Sequence, residues 1–370
     1  MMENNRNIIK KTILYNHHIR LGARMVNYSG FYMPLQYASS LKEHMHVRNY
    51  AGIFDVSHMG KFILKGKNSE KLMQYLTTND LSKIKIGQAQ YTCLINYQGG
   101  IIDDLVIYKI SEKCFLLIVN AANIEKNKKW INDHIKKCKY SDIELIDNSL
   151  YYSLIAVQGP LSLFYTQKLT NISLNKIPFY HFEIGNFSGI KDVLISRTGY
   201  TGSKGIEIYV SNENAEKIWN DVLELEDKII PCGIASRNSL RLEMGYRLYG
   251  QDISEEITPI EANLSWIIQF EKKFIAKQIL QNKEKKYKKF ISFIIEEKNK
   301  IPRQGHVLID ENHTTVGYVT SGVYSPVLKK GIGLGYLTNQ QNKNSVFLFI
   351  RNKKVPIKIV KLPFIKVKDQ

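Results

Sequence analysis

Two adjacent aspartates, Asp103 and Asp104, lie in the stretch YTCLINYQGGIIDDLVIYKI, where the flanking residues are apolar. A buried carboxylate without a partner costs several kcal/mol or takes up a proton. Side chains alternate along a strand, so an extended segment directs one aspartate to each face of the sheet. Exposure to water explains the aspartate on the outer face. The other must cap a turn, pair with a cation or take part in chemistry.

A third carboxylate follows the glycine-rich stretch RTGYTGSKG. Its three glycines have the spacing G-x-x-G-x-x-G, and the residues after them read as a strand, whereas a dinucleotide-binding motif requires a helix there. The glycines therefore predict a hairpin turn and not a phosphate site. Glu207 lies between Ile206 and Ile208 and faces away from both. A carboxylate in a cleft can bind a planar ligand that offers two adjacent N–H donors.

Two other motifs have simple structural explanations. In SRNSLRLEMGYRLYGQDI, Arg237 and Arg241 are four residues apart on one face of a predicted helix, as in an exposed, salt-bridged helix. In AGIFDVSHMGK, Asp55 and His58 are close enough in sequence to hydrogen-bond, with a serine between them. A catalytic triad is a weak interpretation, because G-x-S-x-G is absent.

Strand and helix patterns around these motifs predict the elements that position them. Two hairpins are expected, and a helix follows each one, the first over residues 124–135 and the second from Ser211 or Asn212. The four strands of these hairpins are predicted at Leu105–Ile110, Cys114–Asn120, Val193–Arg197 and Ile206–Val210.

The chain has 370 residues, of which 44% are hydrophobic and 23% charged, as is typical of globular proteins with two or three domains. No apolar run approaches the roughly 18 residues of a membrane helix, so no membrane partner is expected. The start, MMENNRNIIKK, lacks the apolar core of a signal peptide. The nine histidines and four cysteines lack the spacing of a zinc site, so no metal is expected.

The net charge is +18, from 52 basic and 34 acidic residues, and it favours an acidic partner. Liberal use of lysine along the whole chain explains the charge equally well. The basic residues are dispersed and form no recognised nucleic-acid-binding module. No nucleic-acid partner is therefore expected.

The pattern changes near residues 281–286, within the charged stretch QNKEKKYKK, which resembles a linker. The residues beyond it form short β-rich runs separated by glycine and asparagine turns. These runs are FISFII, HVLI, VGYVTSGVY, GIGLGYL, SVFLFI and VPIKIV. They predict a small β-barrel or sandwich.

Several separated motifs together resemble one family, in order and in spacing. They are HHIRLGARMVNYSGFYMPLQY, EHMHVRNYAGIFDVSHMGK, NYQGGIIDDLVIY, SLIAVQGP, RTGYTGSKGIEI, SRNSLRLEMGYRLYGQDI, ANLSWIIQF and SGVYSPVLKKGIGLGYL. From about residue 12 to about residue 366 the chain resembles the aminomethyltransferases, the T-proteins of the glycine cleavage system.

The resemblance implies an α+β fold, in which two interleaved N-terminal α/β lobes surround a folate channel. A small C-terminal β-barrel completes a three-domain cloverleaf. The implied divisions are a folate-binding region of residues 12–280, a linker of residues 281–289 and a barrel of residues 290–366.

The resemblance also implies a reaction. An aminomethyl group on the lipoyl arm of the H-protein loses ammonia, and its carbon passes to the co-substrate tetrahydrofolate. The products are 5,10-methylenetetrahydrofolate and dihydrolipoyl H-protein, and no metal takes part. The lipoylated H-protein is the implied partner. The implied location is mitochondrial in a eukaryote and cytoplasmic in a bacterium.

By resemblance, Asp103 matches the catalytic aspartate, and Asp104 is expected to be a structural or turn residue. An anion suits this chemistry, because carbon–sulfur cleavage and attack by the folate N5 pass through cationic, iminium-like species. Glu207 matches the residue that holds the pterin, and Arg237 matches a folate-binding arginine, while Arg241 keeps its structural interpretation. The positions expected to line the channel are Tyr91, Asn120, Tyr200 and Trp266.

Three departures from the family pattern bear on folate affinity. Asn238 follows Arg237 where the family usually has an aspartate, and this loss leaves the arginine less firmly oriented. His46 replaces a small residue, and Ala276 replaces a usual glycine. The two acidic site residues are unaffected.

Two relatives of the same fold give alternative functions. A folate-binding protein of iron–sulfur assembly, which is not a transferase, carries the motif K-G-C-Y-x-G-Q-E. The comparable segment here is YRLYGQDI, which has no cysteine, and this favours the transferase. Folate-dependent demethylases of small methylated compounds are the other alternative.

Overall fold

The strands divide among three sheets and a barrel. The computed structural model describes residues 9–282, 288–338 and 345–367. In these ranges the strands are β1 (Lys10–Lys11), β2 (Arg24–Tyr28), β3 (Phe31–Gln36), β4 (Ala51–Asp55), β5 (Gly60–Lys65), β6 (Ala89–Ile95), β7 (Ile101–Ser111), β8 (Cys114–Val119), β9 (Glu144–Asp147), β10 (Tyr152–Gln158), β11 (Phe182–Phe187), β12 (Ile190–Ser196), β13 (Gly205–Ser211), β14 (Ile229–Pro231), β15 (Lys289–Ile295), β16 (Val307–Ile309), β17 (Thr315–Ser325), β18 (Lys330–Leu337), β19 (Phe347–Ile350) and β20 (Lys353–Val360).

Helices cover the sheets of the first 282 residues. None of the helices in the described residues is long and apolar enough to cross a membrane. The α-helices are α1 (Tyr15–Arg20), α2 (Ser40–Asn49), α3 (Ser69–Leu76), α4 (Ile124–Lys137), α5 (Ser162–Thr166), α6 (Asn212–Glu224), α7 (Ile234–Glu243) and α8 (Lys277–Gln281). Short 3-10 helices are found at Leu81–Lys83, Ala121–Asn123, Gln167–Leu169, Leu174–Lys176 and Ser265–Ile267.

The first lobe is built on a five-stranded sheet in the order β6-β7-β8-β5-β9. One face packs against α3 and α4, whose apolar side chains recur at helical spacing and bury Leu72, Leu76 and Ile131. The segment between α7 and α8 closes the same core with Ile253 and Ile267.

The second lobe is built on a six-stranded sheet in the order β11-β12-β13-β10-β4-β14. Helix α6 packs on it with Ile218 and Trp219, both fully buried. The chain enters this sheet at β4, leaves to form β5 to β9 of the first lobe, and returns at β10. The two lobes are therefore interleaved along the sequence.

The C-terminal strands form a closed barrel in the order β15-β18-β17-β16-β19-β20. Its interior is filled by apolar side chains such as Phe293, Leu308 and Leu348, each fully buried. Two interleaved α/β lobes and a C-terminal barrel confirm the predicted fold class. Of the predicted linker, residues 283–287 lie outside the described residues.

The predicted local elements agree closely with the structure. Strands β7 and β8 form the first predicted hairpin, β12 and β13 pair antiparallel as the second, and α4 and α6 follow them. The predicted helix that carries Arg237 is α7. Arg241 is 1% exposed and binds Asp252 at 2.6 Å, so its structural interpretation is sound but its predicted exposure is wrong.

A buried ionic network joins α2, α7 and the barrel. Glu243 at the end of α7 accepts hydrogen bonds from Arg48 Nη2 at 2.9 Å, from His44 Nε2 at 3.0 Å and from Ser325 of β17 at 2.5 Å. The side chains of Glu243 and His44 are fully buried. Removing one member of such a network leaves the others uncompensated in a low-dielectric environment.

We therefore expect Glu243→Ala to lower the free energy of unfolding by about 3–5 kcal/mol, because Arg48 and His44 lose their shared acceptor. Urea unfolding followed by circular dichroism measures this change. The matched control is Glu112→Ala, whose carboxylate pairs with Lys109 but is 70% exposed. Its loss should cost less than about 1 kcal/mol. Equal effects of the two substitutions would contradict a supporting role of the network.

Candidate active site

A central cavity of about 1040 Å³ lies where the two lobes and the barrel meet. Its wall is formed by the β2–β3 hairpin, β6, β7, the turn between β12 and β13, α7 with the segment after it, and β17 of the barrel. Each of the two lobes and the barrel thus contributes one side of the cavity. The cavity exists only when all three are assembled.

Asp104 is the aspartate of the pair that faces this cavity. Its Oδ2 accepts a hydrogen bond from the Tyr91 hydroxyl at 2.9 Å, and its Oδ1 accepts one from Asn120 Nδ2 at 2.7 Å. Burial raises the pKa of Asp104 above its usual range. The resemblance predicts Asp104 as a structural or turn residue, whereas the structure places its side chain in the cavity wall.

Asp103, the predicted catalytic residue, does not line the cavity. Its side chain is fully buried behind the wall and accepts four N–H groups, from Asn120, Asn123 and Asn127. Burial and repulsion between the two adjacent carboxylates raise the pKa of Asp103, and the asparagine amides oppose this rise because they stabilise the charged form.

A β-bulge decides which aspartate faces the cavity. The register between β6 and β7 shifts at Leu94 and Ile95, which leaves one extra residue on β7 directly before the aspartates. A bulge redirects the side chains that follow it. Alternation alone correctly predicts that Asp103 and Asp104 face opposite sides, but it cannot determine which one faces the cavity.

Glu207 lines a different part of the cavity wall, from β13. Ile206 and Ile208 are fully buried on the opposite face of the strand, as the alternation predicts. The Thr198 hydroxyl donates to Glu207 Oε2 at 2.6 Å and fixes that oxygen. The carboxylate is thus held in place while it faces the cavity.

Arg237 and Tyr200 form a stacked pair in the wall. The Arg237 guanidinium lies 4.8 Å from the centre of the Tyr200 ring, and its Nη1 is buried without a hydrogen-bond partner in the part of the chain that the structure describes. The Tyr200 hydroxyl donates to the carbonyl of Arg247 and orients the ring. A buried N–H without a partner is costly, so Arg237 is suited to a polar ligand group.

Tyr91 and Trp266 stack with their ring centres 6.0 Å apart and their planes 23° from parallel. Trp266 is 65% exposed although it lines the cavity, so it lies at the cavity edge. Of the seven site residues predicted from the sequence, all except Asp103 line the cavity. The other six are Tyr91, Asn120, Tyr200, Glu207, Arg237 and Trp266.

His58 lines the cavity, and its spacing from Asp55 in the sequence is only a weak indication of such a position. It is 4% exposed, its ring packs edge-on to Tyr28, and its Nδ1 has no partner among the described residues. Burial lowers its pKa to about 3, so it is neutral. Asp55 bonds to His18 at 2.9 Å and to the backbone N–H of Ser57, and the triad interpretation therefore fails.

Two relatives match this chain over nearly their whole length, and one solved structure has the same fold. The chain is 46% identical over 364 residues to an aminomethyltransferase of Flavobacterium psychrophilum, covering 97% of this chain and 100% of that protein. It is 43% identical to the aminomethyltransferase of Chloroherpeton thalassium, covering 96% and 99%. The crystal structure of glycine cleavage system aminomethyltransferase T from Bartonella henselae superposes with a TM-score of 0.89 at 30% identity, covering 97% of this chain and 99% of that one.

The fold and these relatives place the chain among the transferases, and its cavity brings carboxylates, an arginine and stacked aromatic rings together in one space. The family model of the GCVT N-terminal domain matches residues 14–272, and that of the glycine cleavage T-protein C-terminal barrel domain matches residues 288–366. The chain belongs to the glycine cleavage T-protein family, and it is an aminomethyltransferase of that family. The resemblance seen in the sequence is confirmed. The relatives named above are bacterial, which gives the mitochondrial expectation no support.

The buried His58 predicts a pH dependence of stability. Its folded pKa of about 3 lies below its unfolded value of 6.5, so the unfolded state binds more protons between these values. Stability is therefore lost as the pH falls below about 6.5. When the pH falls from 7 to 5, we expect the free energy of unfolding of His58→Gln to decrease by about 2 kcal/mol less than that of the unsubstituted protein.

Urea unfolding at a series of pH values tests this dependence. The control is His313→Gln, because His313 is exposed and should leave the slope unchanged. If the stability of His58→Gln declined as steeply as that of the unsubstituted protein, a different group would be responsible.

Proposed function

We propose that the protein transfers the one-carbon unit of an aminomethyl-lipoyl H-protein to tetrahydrofolate. The products are 5,10-methylenetetrahydrofolate, ammonia and dihydrolipoyl H-protein. The observation that carries the proposal is the cavity itself, in which Asp104 and Glu207 face one enclosed space. Incubation with aminomethylated H-protein and tetrahydrofolate tests it, with methylenetetrahydrofolate and ammonia as the measured products.

Glu207 is the residue proposed to hold the pterin. A pterin presents a ring N–H and an amino group on one edge, and two parallel N–H donors suit a carboxylate. Thr198 occupies only Oε2 of Glu207, and its bond orients the group without consuming its acceptor capacity. Arg237, with its buried and unpartnered Nη1, is the proposed donor to a folate carbonyl or carboxylate.

Asp104 is the residue proposed to act at the reacting carbon. Transfer of an aminomethyl carbon develops positive charge, and a fixed anion in a space with little water stabilises it. Tyr91 and Asn120 hold both Asp104 oxygens by hydrogen bonds and so fix the direction of the charge. Burial raises the pKa of Asp104, so this carboxylate takes up a proton more readily than an exposed aspartate does.

The partner in this proposal is the lipoylated H-protein, and two features support it. The net charge of +18 favours association with an acidic surface. The cavity edge at Trp266 is open to solvent and suits a long, flexible arm. The iron–sulfur and demethylase alternatives are not favoured by the named relatives. A cytoplasmic location and a domain division within residues 281–289 are part of the proposal.

We expect Glu207→Ala to weaken tetrahydrofolate binding by about 2–3 kcal/mol, because a charge-assisted bidentate interaction is lost. Titration calorimetry measures the affinity, and circular dichroism verifies the fold. The control is Glu183→Ala on β11 of the same sheet, where the side chain is exposed. Unchanged affinity in Glu207→Ala would remove this residue from the pterin site.

We expect Asp104→Asn to lower turnover by about a hundredfold or more, because it keeps the size of the side chain but removes its charge from the cavity. Folate affinity should change much less. Asp103→Asn is the matched comparison, since it alters the neighbouring residue behind the wall, and its turnover should fall by about tenfold or less. If Asp103→Asn were inactive and Asp104→Asn fully active, Asp103 would be the catalytic residue.

A further inference from the structure

The surroundings of Asp103 are unusual for a fully buried carboxylate, because every partner is a donor. Its Oδ1 accepts Asn120 Nδ2 at 2.8 Å and Asn123 Nδ2 at 2.6 Å. Its Oδ2 accepts the Asn120 backbone N–H at 3.1 Å and Asn127 Nδ2 at 2.5 Å. These four bonds, here named the asparagine cage, solvate the anion, and a proton on Asp103 would meet donors on both oxygens.

The asparagine cage is connected directly to the cavity residue. Asn120 Nδ2 lies 2.8 Å from Asp103 Oδ1 and 2.7 Å from Asp104 Oδ1, so one amide group joins the two carboxylates. Asp104 has fewer donors than Asp103, and it borders the cavity, where protons can be exchanged. The two aspartates are therefore electrostatically coupled but have different access to the substrate.

Other groups around the pair leave this coupling in place. Strand β6 contributes Tyr91 and the buried thiol of Cys93, both neutral because burial raises their pKa values. The segment after α7 contributes Tyr249 and Asp252, each bound to a basic residue, and the charge of Asp252 also raises the pKa of Asp104. Lys126 donates to Tyr249 at 2.6 Å, and Arg241 binds Asp252 at 2.6 Å. The remaining groups near Asp104 are Tyr200, bonded to the Arg247 carbonyl, and the stacked Arg237 guanidinium.

We infer that Asp103 is an electrostatic positioning residue for the transfer reaction: its caged negative charge keeps Asp104 able to hold a proton and return it to the substrate. The proton is taken from a substrate group in the cavity and given back to one, so no other reactant is needed. Asp103 itself touches no substrate. This inference rests on the function proposed above, in which Asp104 is the catalytic carboxylate.

The direction of the effect follows from like-charge repulsion. While Asp103 is ionised, adding a second charge at Asp104 is unfavourable, so Asp104 keeps a proton up to a higher pH. Asp103→Asn removes the first charge and allows Asp104 to ionise at lower pH. The acid limb of the pH–rate profile should therefore move at least about one pH unit lower, while the folate affinity stays within about threefold.

The experiment has a second measurement that needs no turnover. Protein labelled with ¹³C at the aspartate carboxyl carbon is titrated by NMR, and the Asp104 signal is identified by its loss in Asp104→Asn. In Asp103→Asn the Asp104 midpoint should fall by at least about one pH unit. Asn127→Leu, which removes one donor of the asparagine cage, should lower the midpoint in the same direction by a smaller amount.

The control is Asp133→Asn on the solvent side of α4, where the carboxylate is 51% exposed, and its Asp104 midpoint should equal that of the unsubstituted protein. If Asp103→Asn does not fold, Asn127→Leu decides the question. An Asp104 midpoint unchanged in the folded variants overturns the inference. If the unsubstituted protein forms no methylenetetrahydrofolate, the proposed function fails, and the NMR titration still judges the coupling on its own.

Discussion

A carboxylate that leaves water must receive hydrogen-bond donors, and the centre of this protein is arranged around that requirement at Asp103 and Asp104. The donors for Asp103 come from the end of β8 and the beginning of α4, where Asn120, Asn123 and Asn127 project towards one strand. The position at which β8 gives way to α4 is therefore tied to the position of the aspartates on β7. A shift of one residue in this junction would remove the donors and leave the anion unsolvated.

The same requirement attaches the barrel to the lobes. Glu243 and Asp252 are both fully or almost fully buried, and each accepts a hydroxyl from β17 of the barrel, from Ser325 and Thr320 respectively. Both carboxylates also bind an arginine, so their negative charges are balanced by positive ones. The aspartate pair differs, because its hydrogen-bond donors are neutral. The barrel thus docks through polar contacts whose geometry is specific. That docking positions β17, whose residues form part of the cavity wall.

Much of this arrangement could be predicted from the sequence, and the remainder depended on contacts between distant segments. Glu207 follows from alternation, because one residue between two isoleucines has only one available face. Arg237, Tyr200 and Trp266 were found through the resemblance to a family and not through spacing. The resemblance predicts Asp103 as the catalytic residue, and the structure places Asp104 in the cavity wall. Composition does not reveal which aspartate faces the cavity, because the bulge opposite Leu94 is set by the pairing of β6 with β7. His58 was passed over for a related reason. A lone histidine on a loop shows nothing of its burial until the β2–β3 hairpin packs over it.

The interleaving of the lobes has a consequence for the order in which the protein folds on the ribosome. Strand β4 is synthesised early, but both of its partner strands come much later. On one edge Asp55 pairs with Ile155 of β10, 100 residues further along the chain, and on the other edge β4 pairs with β14. The five strands of the first lobe are all present before β10 emerges, so their sheet can form while β4 still has no partner strand. Contacts of such long sequence separation are slow to form, and an exposed apolar strand invites association with other chains. The nascent chain is therefore most vulnerable to aggregation between the completion of β9 and the arrival of β14. A cut between the lobes would make this vulnerable stage permanent, because neither piece would contain a finished second sheet.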